Sequence, residues 1–259
     1  MQTNTLPSQS LNAGHGAMEK VLVESVASNV YVDKVIIGYN WTLVRAGSLA
    51  GIARSPERGT EGARTIRPPE GFTGKSLREL AGYLCSDDSL KRSLGLAAVN
   101  AWWNRQELLP EAKRYESPTG GLSAIQPPGD GVIIVGGFRG AQKRLPLSRI
   151  VEREPKPGDL SVEEASEAFE QASNLAITAQ TLMNGSLSSI LEQSHMVAHR
   201  SLIGPSAPLC PYLFDFGLDE ISGAVVLNAD AAELFILESG TMIMLDHIAQ
   251  SRYLRSEIS

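Results

Sequence analysis

From residue 131 onward the chain alternates short apolar runs with helix-length segments, and very few folds accept that order. Apolar strands are predicted at residues 131–135, 147–153, 175–178, 197–203 and 223–227. Between them, Ser161 and Glu164 form a capping-box pattern that opens a helix, with Val162, Ala165, Phe169 and Ala172 as its buried stripe. Asn184 heads a helix running through Glu192, Pro211 fits the first turn of a short one, and a last helix spans 231–238. Strands and helices of this length in alternation imply a parallel sheet with helices on its faces. In such a sheet the loops that follow the strands emerge on one edge and converge there on a ligand. The expected fold class is therefore α/β, with this parallel sheet as its larger part.

The first half follows a different rule. A helix at 18–27 precedes two β-rich runs, 34–38 and 41–46, joined through Tyr39 and Asn40, and a third run covers 50–54. Residues 55–74 are dense in Pro, Gly, Arg and Glu and read as a surface loop. Ser76 and Glu79 form another capping box. The segment 89–106 is apolar almost all round, with Leu94, Ala97, Ala98, Ala101 and Trp102 on one stripe and Leu96, Val99 and Trp103 on another. Such a helix is buried. Asn100 lies within that apolar surface and so should be hydrogen-bonded near the junction of the two halves. The shift to Pro, Gly, Ser and charge at 110–130 marks a boundary. The predicted organisation is a polar, disordered tail at 1–17, a small α+β domain at 18–115 and a parallel-sheet domain at 128–259.

Composition narrows the partners. The 259 residues carry 23 basic against 29 acidic side chains, a net charge of −6. Nucleic acid and anionic membrane both reward basic surfaces, so neither is expected as a partner, and a small molecule is. No apolar run approaches the roughly 20 residues that a membrane helix requires. The polar N-terminus lacks the apolar core of a signal peptide, which makes the cytoplasm the expected location. Cys85 and Cys210 stand far apart and read as two buried, reduced thiols. Association into a homo-oligomer is compatible with all of this.

The loops carry the chemistry. Gly136-Gly137-Phe138-Arg139-Gly140 follows the first strand of the second half, and two glycines there let backbone amides approach a ligand closely. Nucleotide-type sites pair such a turn with a carboxylate about 20 residues further on, which holds ribose hydroxyls. Glu152 and Glu154 lie 16 and 18 positions after Gly136. The turn is not GxGxxG, and Pro146 interrupts the intervening segment, so a dinucleotide pyrophosphate is not expected. A nucleoside such as that of S-adenosylmethionine needs only the turn and the carboxylate; the competing reading is a tight turn beside a solvated Glu. Thr181, Asn184, Gly204 and Ser206 sit on later strand-end loops, where Asn184 and Ser206 could equally be helix caps. Glu152, Glu154 and Asp159 could bind a hard cation or form a solvated edge. Among His15, His195, His199 and His247, only His195 and His199 are close in sequence, and they straddle a strand start, so no metal-ligand set is assigned. No Ser-His-Asp order, nucleophile elbow or Walker loop is present.

Taken together, several stretches resemble a bacterial and archaeal family, the heavy-metal-chelation domain family. They are Val35-Ile36-Ile37-Gly38 with Trp41-Thr42, Leu94 to Ala101, Val135-Gly136-Gly137-Phe138, Glu154-Pro155 with Pro157-Gly158-Asp159, Thr181 with Asn184, and Gly204-Pro205-Ser206-Ala207-Pro208. Arg139 stands where the family often has Pro. The resemblance implies an enolase-N-terminal-like α+β domain followed by a Rossmann-like domain. It also implies a binding protein that handles a heavy metal or a metal-chelating small molecule. The residues leave a second reading open, an enzyme that binds S-adenosylmethionine or a related nucleoside for alkyl transfer or internal cyclisation. Either way, the expected pocket lies between the domains. Gly136, Gly137, Phe138, Glu152, Glu154, Asp159, Thr181, Asn184, Gly204, Ser206 and Asn100 are its ligand-binding candidates, with a metal ion or S-adenosylmethionine as the candidate cofactor.

Overall fold

The computed structural model describes residues 16–56, 66–109, 121–138, 140–241 and 249–256. Most of the expected tail, His15, Arg139 and His247 lie outside the described residues. Helix α1 (Ala17–Glu24) precedes an antiparallel sheet of β1 (Lys34–Ile37), β2 (Trp41–Ala46) and β3 (Leu49–Arg54), in the order β1-β2-β3. Helix α2 (Leu77–Ala81) starts at the expected capping box: Ser76 Oγ accepts from Glu79 N, and Glu79 returns the bond to Ser76 N. Helix α3 (Ser89–Trp103) is capped by Asp88 and is buried from Ser93 to Ala101.

Alternation splits the three-stranded sheet into two packed faces. Val44 and Ala53 turn toward the α1–α3 core, whereas Trp41, Leu43 and Ile52 join Ala224, Phe235 and Ile236 of the second half. Gly51 is what lets α3 lie on β3. A Cβ built there would stand 2.0 Å from Ala101 N and 2.3 Å from Ala97 O, both backbone atoms that cannot step aside. Gly51→Ala is therefore expected to cost about 2–3 kcal/mol as an overpacked site, measurable as a lowered urea midpoint with unchanged slope.

The larger sheet has six strands: β4 (Val132–Val135), β5 (Arg149–Val151), β6 (Asn174–Thr178), β7 (His199–Ile203), β8 (Glu220–Val226) and β9 (Ala249–Arg255). Their spatial order is β5-β4-β6-β7-β8-β9. The first five run parallel and β9 pairs antiparallel with β8. Around them lie α4 (Ala141–Arg144), α5 (Ala165–Glu170), α6 (Gln180–Met183), α7 (Leu187–Gln193) and α8 (Ala229–Leu237). The chain leaves β4 for β5 on one side and returns across β4 to β6 on the other. That reversal is the topological switch point, and it opens a crevice at the carboxyl ends of β4 and β6.

Four local expectations change. The helix expected from Ser161 begins at Ala165: Ser161 N does donate to Glu164 Oε2 at 2.8 Å, but this closes only a turn, and Val162 is 48% exposed. The strand expected at 147–153 contracts to three residues, because Glu152 N already bonds the returning Leu160 O. Cys85 is exposed at the end of a 3-10 turn, and only Cys210 is buried. Strand β9 was absent from the expected set; its sequence, Ala249–Arg255, is too polar to stand out as a strand.

The two halves are joined at the carboxyl edge of the larger sheet. Helix α6 touches α3, the segment after β7 touches α3 and β3, and α8 lies on β1 and β2. On the outside of the α8 contact, Lys34 pairs with Glu233 (2.7 Å), and Arg45 pairs with Asp230 (2.7 Å) and Glu233 (2.9 Å).

Candidate functional site

The strand register brings the carboxyl ends together. Val135 lies beside Ile177 and Val151, and Thr178 lies beside Ile203. Each strand therefore releases its loop at about the same height. Gly136 (φ 94°) turns left-handed directly after β4, and a Cβ there would stand 2.4 Å from Thr178 Cγ2. At Gly137 an added Cβ would stand 2.9 Å from Glu152 Oε1. Next along the edge, Gly204 (φ 135°) faces Ala179, whose Cβ would be 3.6 Å from one added at the glycine. The loops after β5, β4, β6 and β7 thus form one continuous arc.

Among the described residues, Glu152 is the carboxylate that meets the glycine turn of that arc. Residues 152–160 leave β5 and come back to it, since Leu160 N bonds Ile150 O (2.7 Å) and Glu152 N bonds Leu160 O (3.0 Å). The excursion returns Asp159 beside Glu152. Partial burial, and then the charge of Asp159, push the Glu152 carboxyl above the usual carboxylate range; Lys156 and Arg153 oppose the shift. A carboxyl shifted upward favours the folded state in its protonated form. Its contribution is complete below the unfolded carboxylate value and is lost as pH rises through the folded one. Glu152→Gln should therefore raise the melting temperature of the ligand-free chain at neutral pH, with the difference fading toward zero in acid. A melting series from acid to neutral pH checks the sign.

The remaining candidates divide. Glu154 is exposed, so the carboxylate beside the glycine turn is the one immediately after the strand, Glu152. Asp159 Oδ2 accepts from Lys156 N (3.1 Å) and holds the excursion's turn. Phe138 is half-buried against the cluster of Ile134, Ala141 and Leu145, where it anchors the glycine loop. Thr181 is buried, and its hydroxyl donates to Thr178 O (2.7 Å). Asn184 is exposed and accepts from Ser186 N (3.0 Å) and Ser186 Oγ (2.6 Å), so it shapes the turn before α7.

Ser206 and Asn100 meet across the junction of the halves. Ser206 Oγ accepts from Arg54 N (2.8 Å), while Asn100 Nδ2 donates to Ser206 O (3.0 Å) and Ile52 O (2.8 Å). Asn100 Oδ1 is buried without a partner. One turn further along α3, Asn104 makes three such bonds, donating to Ala207 O and Ala224 O and accepting from Leu209 N. Sequence reasoning missed Asn104, although its i, i+4 spacing from Asn100 on a buried helix was a usable signal. The 204–210 segment is thus clamped by α3, which brings Arg54 to the edge of the arc.

Metal donors do not converge. Among the described residues no three His, Cys, Asp or Glu side chains are grouped so as to enclose an ion. Burial pushes the Cys210 thiol up to about 12, and partial desolvation by its neighbours, then the charge of Glu19, raises the more exposed Cys85, so neither is poised as a thiolate. His195 lies in the turn after α7 and His199 starts β7, so they share no helix face. No helix among the described residues is long and apolar enough to cross a membrane.

Comparison with known proteins gives the same architecture. A crystallised protein of unknown function from Desulfitobacterium hafniense, of the DUF364 family, superposes with a TM-score of 0.80 at 22% identity, covering 94% of this chain and 99% of the other. A second, from Pyrococcus horikoshii and the same family, gives 0.71 at 20% identity, covering 92% and 98%. An uncharacterised protein of Methanocaldococcus jannaschii is 26% identical over 189 residues, 69% of this chain and 71% of its own length. Residues 20–103 match the DUF4213 family and residues 123–255 match DUF364, both described as "Putative heavy-metal chelation". With the second match spanning more than half of its length, the chain belongs to the DUF364 family.

Proposed function

We propose that the chain binds a small molecule on the carboxyl edge of the six-stranded sheet, and that this ligand is an organic metal chelator which carries the metal with it. The observation that carries the reading is the Glu152 carboxylate folded against Gly137 at the topological switch point. A glycine turn admits a ligand to backbone amides, and a carboxyl held above its ordinary range gains most when a donor or a positive charge arrives. The family description supplies heavy metal. The donor set among the described residues suits a metal already enclosed by its own ligand better than a bare ion.

A second reading is favoured by one specific feature. Glu152 ends β5, the strand beside β4, and β4 carries the glycine turn. That is the arrangement in which a Rossmann-type sheet holds ribose hydroxyls. S-adenosylmethionine or a related nucleoside would fit it, with alkyl transfer or internal cyclisation as the chemistry. The protein's part in such a reaction is orientation and exclusion of water.

A thermal-shift screen separates the two, since a ligand selective for the folded state raises the midpoint. The probes are zinc and nickel alone, the same metals premixed with citrate or histidine, S-adenosylmethionine, and adenosine. Stabilisation by the premixed metals only supports chelate binding. Stabilisation by S-adenosylmethionine supports the nucleoside reading. Stabilisation by free metal alone contradicts both.

A further inference from the structure

We propose a second binding site, for a small neutral hydroxyl-rich molecule such as a monosaccharide or polyol, at the opposite edge of the six-stranded sheet. A cavity of about 430 Å³ lies there, between the starts of β4, β6, β7 and β8 and the segment that begins at Gly121. Its size falls within the range of small-molecule sites.

The sheet face that forms its floor is polar where packing alone would make it apolar. Further along the same strands that face carries Ile134, Ala176 and Ile203. At the strand starts it carries Asn174 beside His199, and Ser201 beside Glu220, which in turn lies beside Arg255. Ser201 is only 4% exposed and lines the cavity, yet among the described residues its hydroxyl meets no partner. Its oxygen faces the cavity and is free to exchange solvent for a ligand hydroxyl, as donor or as acceptor. Glu220, 1% exposed, is held rigid: one oxygen accepts from Gly121 N, and the other accepts from Arg255 Nε at 3.2 Å, with His199 Nε2 at 3.7 Å. A carboxylate so fixed still has lone pairs to offer.

Chemistry selects the ligand class. The Ser201 hydroxyl, the His199 ring and the Asn174 amide each both donate and accept, which is also what a hydroxyl group does. Among the described lining residues, Asp130 and Glu220 against Arg255 leave an excess of negative charge, which disfavours anions. Ile125 and Val132 give one apolar wall, suited to the C–H face of a sugar ring or cyclitol. The site shares no residue with the Glu152 arc, so either can fail alone.

Saturation-transfer NMR on the full chain tests this with glucose, ribose and myo-inositol at millimolar concentration, and with inorganic phosphate and citrate as anions. The expected result is transfer to at least one of the three neutral compounds, weakened about 10-fold or more in Ser201→Val and retained in Glu152→Gln. Should Ser201→Val fold poorly, His199→Phe takes its place and should show the same loss. No transfer to any of the three, transfer to the anions only, or transfer undiminished in a folded variant would each overturn the proposal.

Discussion

Arg92→Met is expected to remove about 3–5 kcal/mol of stability, because it strands a buried carboxylate. Arg92 Nη2 lies 2.7 Å from Glu19 Oε1 with both side chains largely buried. The same guanidinium donates to Leu182 O on α6, with Nε at 3.2 Å, and to Ser86 O at 3.4 Å. One side chain on α3 therefore ties α1 to the carboxyl edge of the larger sheet. Removing it leaves Glu19 without its countercharge, and Glu19 Oε2 already has no partner. Glu19→Leu combined with Arg92→Met should recover most of the loss, since an apolar pair of similar volume avoids the desolvation of two ions. Urea denaturation of the two single variants and the double variant checks this. Additive losses in the double variant would contradict it.

Asn104→Leu is expected to cost about 3 kcal/mol, and more than Asn100→Leu at about 1–2 kcal/mol. The reason is a difference in how fully each amide is used. Asn104 satisfies both its oxygen and its nitrogen against the 207–209 segment and β8, so leucine leaves two carbonyls and one N–H unpaired. Asn100 loses two bonds, but its replacement also removes a buried oxygen that has no partner. Gly223 adds to the demand at this point, because a Cβ there would stand 2.3 Å from Ala207 O. Equal losses in the two variants would mean that something unaccounted for satisfies Asn100 Oδ1.

The architecture was readable wherever period and burial agreed. β1, β2 and β3 match the expected runs closely because short apolar stretches are set between turn residues, Tyr39-Asn40 before β2 and Gly47-Ser48 before β3. The apolar girth of α3 announced its burial on all sides. β9 escaped because an antiparallel edge strand needs no continuous apolar run, and Val162 misled because a capping-box pattern can close a turn without starting a helix. At the candidate site, the glycine turn and the strand-end carboxylates stood out as a pair. What sequence spacing could not resolve was which carboxylate turns inward: Glu152 and Glu154 differ by two positions, which strand alternation would place on one face, and only the turn that brings Leu160 back to β5 separates them. Ser206, Thr181 and Asn184 have the residue types of ligand contacts, yet each spends its side chain on local or junction hydrogen bonds that only the folded chain reveals. Arg54 and Thr178 reach the arc through register, which single-sequence motifs do not encode.

The most direct measurement is the affinity, by isothermal titration, of the wild-type chain and of Glu152→Gln for whichever probe stabilises it most in the thermal screen. A charge-assisted hydrogen bond contributes about 1.5–3 kcal/mol, so the variant should bind about 10–100-fold more weakly. Its fold and ligand-free melting temperature should be intact or slightly improved. Equal affinities in two well-folded proteins would place the ligand away from Glu152 and contradict the site.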